Sequence, residues 1–364
     1  MIERVYIDNV WSYVNFEWRP GPLAILLGSN GAGKTALLDI LRLVQGLLGG
    51  SMLVGAAFGP DSRTQWDLRH EQTVELDVRG KDGLYRYRLV VLHDPKAPGK
   101  PTIAKERLTF DDRPLAELEG GELRVFEDDG SPKGASFRVK ATRSGIGALE
   151  PSPDDERLGW FKDWIWRLWL LRPDPRAMDP KVEGEETDWL VPTLSNFAAW
   201  YTRQLAIKPG SMFKANMALS KILPGYIELH EQQGHLRARF GDEVENQSYR
   251  FDYLSDGQRA LIALYVLRYA VALPGKTLVI DEPDNYVALR EIQPWLMELT
   301  DLALRKDGPQ IWLISHHPEV LNLLARDYGW LFYREGAGPT RVKRFAPAEG
   351  LDAAETVARG WEDG

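Results

Sequence analysis

The chain has 364 residues, 44% hydrophobic and 27% charged, the balance of a folded protein of about two domains. A net charge of −8 excludes a globally basic nucleic-acid surface, though not a local basic groove. The lack of any cysteine excludes disulfides, thiolate metal sites and a cysteine nucleophile. It also fits a reducing compartment, and Glu3, Arg4 and Asp8 argue against a signal peptide, so a cytoplasmic location is expected.

In chain order, Val5–Ile7, Phe16–Trp18 and Leu23–Leu27 are short apolar runs bounded by Pro and Gly and predict strands. A glycine-rich turn follows, then Leu37, Leu38, Leu41 and Val44 recur at helical spacing. Leu43 to Pro60 carries no charge, but Gly46, Gly49, Gly50, Gly55 and Gly59 mark it as a helix end and loop, so no membrane span is expected. From Thr73 to about Lys140 the period becomes two. Val74, Leu76 and Val78, a Gly80–Gly83 turn, then Tyr85, Tyr87 and Leu89 predict an antiparallel hairpin with one wet face, and Leu123/Val125 with Phe137/Val139 suggest a second pair.

A tryptophan-rich segment with Trp160, Trp164, Trp166 and Trp169 reads as helical, with Trp160, Trp164, Leu168 and Leu171 on its buried face; a partner-binding patch is the other use of so many indoles. Helical pattern continues from about Leu194 to Leu223, then strands at Tyr226–His230 and His235–Phe240. A helix from Gly257, a strand Thr277–Ile280, a helix near Ile292–Leu304 and a strand Ile311–Ile314 alternate as a helix-covered parallel sheet does. A hairpin, Leu331–Arg334 with Thr340–Phe345, precedes an acidic tail.

Four segments carry chemistry. Gly28-Ser29-Asn30-Gly31-Ala32-Gly33-Lys34-Thr35 fits the P-loop pattern, in which glycines let backbone N–H groups cradle phosphates, Lys34 adds a charge and Thr35 offers a hydroxyl to Mg²⁺. Leu278–Glu282 is an apolar strand ending in two acids, Asp281 for the metal and Glu282 to polarise a water. Leu254-Ser255-Asp256-Gly257-Gln258 opens a helix, where Ser255 or Asp256 serves as an N-cap, a γ-phosphate site, or both. His316 ends another apolar strand at the phosphate edge, and the other histidines lack metal-ligand spacing.

Together and in this order the segments resemble the ATP-binding-cassette (ABC) ATPases: Walker A at Gly28–Thr35, the signature motif at Leu254–Gln258, Walker B with its glutamate at Leu278–Glu282, and the switch histidine at His316. Asp256 stands where the family has Gly, Ala288 where it has Asp, and no Q-loop glutamine is assignable beyond Gln65 and Gln72 as candidates. More than two hundred residues part Lys34 from Ser255, too many for a transporter domain, and no coiled coil fills them. The patterns Asn9-Val10-Trp11-Ser12-Tyr13, Asp281-Glu282-Pro283-Asp284-Asn285 and Ser315-His316-His317-Pro318 are similar to RecF/OLD-like ATPases of the AAA-21 type.

The resemblance implies an α/β P-loop NTPase of ABC-head type, with a mixed or parallel sheet core at 1–60 and 226–345, an antiparallel β lobe at 61–150, a helical insertion at 151–225 and an acidic tail at 346–364. It implies Mg²⁺-dependent ATP hydrolysis by a homodimer or higher oligomer, with Ser255, Gly257 and Gln258 of one head meeting nucleotide held by the other. The expected role is the ATPase or sensor subunit of an anti-phage system, paired with a separate effector such as a nuclease encoded nearby. A DNA-repair ATPase is the alternative. Arg138, Lys140 and Arg143 with Arg341, Lys343 and Arg344 offer it a basic groove, or are merely the wet faces of strands.

Overall fold

The computed structural model describes residues 1–359 except 81, 135, 183–187 and 243–244. Lys81 of the expected hairpin turn and the last five residues of the expected tail lie outside the described residues. Strands are numbered along the chain. β1 (Ile2–Asp8), β2 (Phe16–Trp18), β4 (Glu71–Arg79), β5 (Leu84–Leu92), β6 (Thr102–Phe110), β7 (Arg113–Glu119), β8 (Glu122–Val125) and β9 (Phe137–Arg138) form an antiparallel sheet in the order β2-β1-β4-β5-β6-β7-β8-β9. The second sheet runs β10 (Leu168–Leu171), β14 (Thr277–Asp281), β15 (Gln310–Ile314), β3 (Leu23–Leu27), β16 (Gly329–Tyr333), β17 (Arg341–Arg344), parallel until its antiparallel last strand. A third, small sheet joins β11 (Tyr226–Gln232), β12 (His235–Gly241) and β13 (Asn246–Arg250).

The apolar runs of β3, β14 and β15 follow from burial on both faces, because successive side chains of a strand point to opposite sides. Leu23, Ile25, Leu27, Leu278, Ile280, Ile311 and Leu313 enter one core with helices α5 (Phe197–Ile207), α6 (Pro209–Leu219), α7 (Asp256–Ala270) and α8 (Leu289–Ala303). Their neighbours Ala24, Leu26, Val279, Trp312 and Ile314 enter a second core. That core contains α1 (Lys34–Leu48), α2 (Val54–Ala57), α3 (Gly145–Ala148), α4 (Glu156–Trp166) and the buried face of the antiparallel sheet. The parallel sheet thus separates α1 from α7.

One expected helix is corrected. α4 ends at Trp166, and Leu168–Leu171, with Trp169, is strand β10, paired in parallel with Thr277–Ile280. A four-residue apolar run has no period that tells a buried strand from a helix, and here the edge of the parallel sheet decides. Trp160 and Trp164 do sit on α4, Trp160 stacked on Tyr85 at 4.7 Å. The parallel sheet therefore takes a strand from 151–225, while β1 and β2 belong to the antiparallel sheet.

The antiparallel sheet also contains β6 and β7, which the alternation did not reveal. Glu106 sits at an inward position of β6, fully buried, where it accepts bonds from Tyr87 Oη (2.9 Å), Ser144 Oγ (2.6 Å) and the amides of Gly145 and Ile146. A buried carboxylate satisfied this way breaks the apolar pattern without breaking the strand. Near the C-terminus, the helix Ala353–Ala358 buries Ala353 and Thr356. No helix among the described residues is long and apolar enough to cross a membrane.

Candidate functional site

β3 ends at Leu27 and the chain turns through Gly28, Gly31 and Gly33, whose φ angles of 130°, 82° and 108° favour glycine. Space enforces two of them. A Cβ on Gly28 would lie 2.0 Å from the Phe332 carbonyl oxygen, and one on Gly33 2.8 Å from Thr340 Oγ1 and 3.0 Å from the Tyr13 hydroxyl. Tyr13 Oη donates to the Gly33 carbonyl (2.7 Å) and Thr340 Oγ1 to that of Ala32 (3.1 Å), so β16, β17 and the β1–β2 turn hold the loop from outside. The first amides of α1, which have no partner within the helix, then face an anion position.

Lys34 is buried and its Nζ donates to the carbonyls of Gly28 (2.7 Å) and Ser29 (3.0 Å). Burial pushes its pKa down, while Asp281 and Glu282 oppose that shift. Thr35 Oγ1 donates to Asp281 Oδ2 at 3.0 Å. Asp281 is 2% exposed, and burial raises its pKa against the Thr35 bond and the charge of Arg172. A hydroxyl and a buried carboxylate are hard oxygen donors of the kind Mg²⁺ takes, with phosphate oxygens and waters completing its shell. No cluster of three or more His, Cys, Asp or Glu among the described residues would hold a metal unaided.

Glu282 leaves β14 in the left-handed region at φ 54°, its amide bonded to the Ile314 carbonyl (2.9 Å) and its Oε2 accepting from Asn285 Nδ2 (2.8 Å). A non-glycine residue in that region is uncommon, and the Asn285 bond holds the carboxylate. His316 follows β15 at the same edge. Burial lowers its pKa, the Lys34 charge lowers it further, and Glu282 and Asp284 oppose, so these four groups share one electrostatic neighbourhood.

The signature segment lies across the sheet. Ser255 caps α7 in a capping box: its Oγ accepts from the Gln258 amide (3.2 Å), and Gln258 Oε1 accepts from the Ser255 amide (3.1 Å). The Gln258 side chain is therefore committed to the cap. Asp256 pairs with Arg176 (2.9 Å) and Arg259 (2.5 Å). Gly257 is required from within its own chain, since a Cβ there would lie 2.7 Å from the Tyr286 carbonyl oxygen. Residues 28–35, Asp281, Glu282 and His316 thus come together, whereas Ser255, Gly257 and Gln258 sit on the far face of the sheet, at the same carboxyl edge.

Sequence reasoning missed Tyr13 as a loop clamp, although it lies in the quoted Trp11-Ser12-Tyr13 pattern, and missed Thr340 and Arg172. Arg172 follows β10, and its guanidinium lies 3.9 Å from Asp281 Oδ2 and 3.7 Å from Glu282 Oε2. The strand beside that of Asp281 hence leads directly into an arginine. Gln72, one Q-loop candidate, is buried in β4 and bonds Asn9 O (2.9 Å) and Ser62 Oγ (3.1 Å); Gln65 is exposed in the segment before β4. The two basic triplets also part: Arg138 lies on β9, one edge of the antiparallel sheet, while β17 packs near β2, the opposite edge. They do not form one groove.

The fold is that of a P-loop ABC-type ATPase head. Its solved likenesses include an SMC head bound to the C-terminal winged-helix domain of ScpA (TM-score 0.55, 12% identity, 96% of this chain and 99% of that one). Another is an SMC head with extended coiled coil bound to the C-terminal domain of ScpA, from Pyrococcus furiosus (TM-score 0.53, 12% identity, 100% and 98%). In sequence, 54 residues are 48% identical to ABC multidrug transporter H of Aspergillus fumigatus and to the ABC-type transporter cns4 of Cordyceps militaris, 14% of this chain. The chain spans 4% of the length of those transporters. No family model matches it.

Proposed function

We propose that the chain is an ATPase head that holds Mg²⁺·ATP at Gly28–Thr35 and hydrolyses it while paired face to face with a second copy. The observation that carries this reading is the union of Lys34, Thr35, Asp281, Glu282 and His316 at one sheet edge. The loop amides and Lys34 bind and orient the β- and γ-phosphates, with Thr35 and Asp281 placed to hold the metal. When bound, Mg²⁺ supplies charge neutralisation at the phosphate oxygens. Glu282, fixed by Asn285, takes the proton of the attacking water, and His316 hydrogen-bonds the γ-phosphate.

Pairing is supported by the placement of Ser255 and by its surroundings. Ser255 is exposed, and Tyr253 (72% exposed) and Tyr286 (43%) flank it, the type of aromatic rim that interfaces use. A two-fold arrangement sets the α7 start of each protomer over the P-loop of the other. The test mixes Lys34→Ala with Ser255→Arg chains, each first checked for folding. Activity of the mixture above either parent supports shared sites; none above either parent overturns them.

For the biological role, the RecF/OLD-like motif set supports an anti-phage ATPase controlling a separate effector, and the divided basic triplets weigh against a DNA clamp. Co-purification with the product of an adjacent gene tests this. ATP-stimulated, salt-dependent DNA binding by the purified chain would favour repair instead.

A further inference from the structure

β10 brings Arg172 to the carboxyl edge of the parallel sheet, beside the two acids that end β14. Its backbone is held by two bonds, the Arg172 amide donating to Pro192 O (2.7 Å) and the Asp174 amide to Thr193 O (3.1 Å). The Arg172 side chain is 54% exposed and reaches Asp281 Oδ2 and Glu282 Oε2 at 3.9 and 3.7 Å, ion-pair rather than hydrogen-bond distances. Asp281 Oδ2 is also the oxygen that accepts from Thr35, the oxygen best placed for the metal. Two neighbouring carboxylates repel each other and a nearby cation offsets that repulsion; Lys34 is one such cation and Arg172, on the other side, is the second. Four residues on, Arg176 takes a different acid, Asp256 at the start of α7.

We propose that Arg172 is an internal cation that balances Asp281 and Glu282 before the metal is bound, and that the metal must displace it. The inference rests on the ATPase reading above. It makes Arg172 a positioning residue that sets the Mg²⁺ requirement of nucleotide binding and frees Glu282 only once the metal is in place.

The test measures binding of a fluorescent ATP analogue to the full chain at increasing Mg²⁺, and reads the Mg²⁺ midpoint. With a half-exposed ion pair as the competitor, Arg172→Ala should lower the midpoint about two- to fivefold. Arg172→Lys, which keeps the charge, should stay near the parent, and Arg176→Ala, on the same segment but paired elsewhere, should leave the midpoint unchanged. Thermal unfolding and metal-free nucleotide affinity show that each variant is folded. A midpoint for Arg172→Ala equal to or above the parent's overturns the proposal, as does an equal drop in Arg176→Ala. A parent that binds nucleotide with no dependence on Mg²⁺ sinks the metal-site reading itself, and the inference with it.

Discussion

The hydroxyl of Thr35 donates to the carboxylate of Asp281 across 3.0 Å, joining the first turn of α1 to the end of β14 over 246 residues of chain. On the proposed ATPase reading, these two oxygens are the ligands offered to a divalent cation shared with phosphate. Thr35→Val and Asp281→Asn should each lower phosphate release by about 10²–10³-fold, the loss typical of removing one stabiliser of developing charge. Metal-free nucleotide binding should persist in Thr35→Val. Unchanged turnover in both would place the metal elsewhere.

Glu282 is the expected general base. Glu282→Gln should cut turnover by about 10²–10⁴-fold and retain ATP affinity. Because hydrolysis is then blocked, ATP-dependent dimers should accumulate, visible by light scattering after size exclusion. Parent-like turnover would assign the base to another residue.

Close approach makes two glycines testable in different ways. Gly28→Ala combines φ 130° with a contact of 2.0 Å to the Phe332 oxygen, so the loop must rearrange and nucleotide binding should be lost along with about 1–3 kcal/mol of stability. Gly257→Ala has ordinary backbone but meets the Tyr286 oxygen at 2.7 Å. It should push the Pro283–Val287 loop outward, sparing nucleotide binding by the single head while weakening ATP-dependent dimers.

His93 gives the stability curve an acid limb. It is buried with Nε2 2.7 Å from Gln72 Oε1, and burial, with the charges of Arg63 and His70, lowers its pKa from 6.5 to about 4. The unfolded chain therefore binds more protons than the folded one in that window, and stability rises with pH there. The contribution is complete above pH 6.5 and is lost as pH falls through about 4. In His93→Gln, urea midpoints between those limits should vary less with pH; an unaltered slope would remove His93 as the cause.

Most of the residues proposed to meet nucleotide are legible in the sequence because they are local: Gly28 to Thr35 is one continuous loop, and Leu278–Glu282 one segment ending β14. Ser255 was readable as a cap for the same reason. What escaped was set by distant contacts. Tyr13 and Thr340 matter only once the β1–β2 turn and the β16–β17 hairpin bring them to the loop around Gly33. Leu168–Leu171 has no period of its own, and its misassignment as helix hid Arg172 with it. Glu106 hid β6 by being a charge where an apolar residue was expected.

The place of β10 bears on how the protein can be cut down. It is the outer neighbour of β14, so a minimal core assembled from 1–60 and 226–345 would strip it away. The backbone of Thr277–Asp281 would then stand as a bare, apolar rim, open to strands from other molecules. Such a fragment, which also loses α3–α6 and β4–β9 from the two cores, should aggregate.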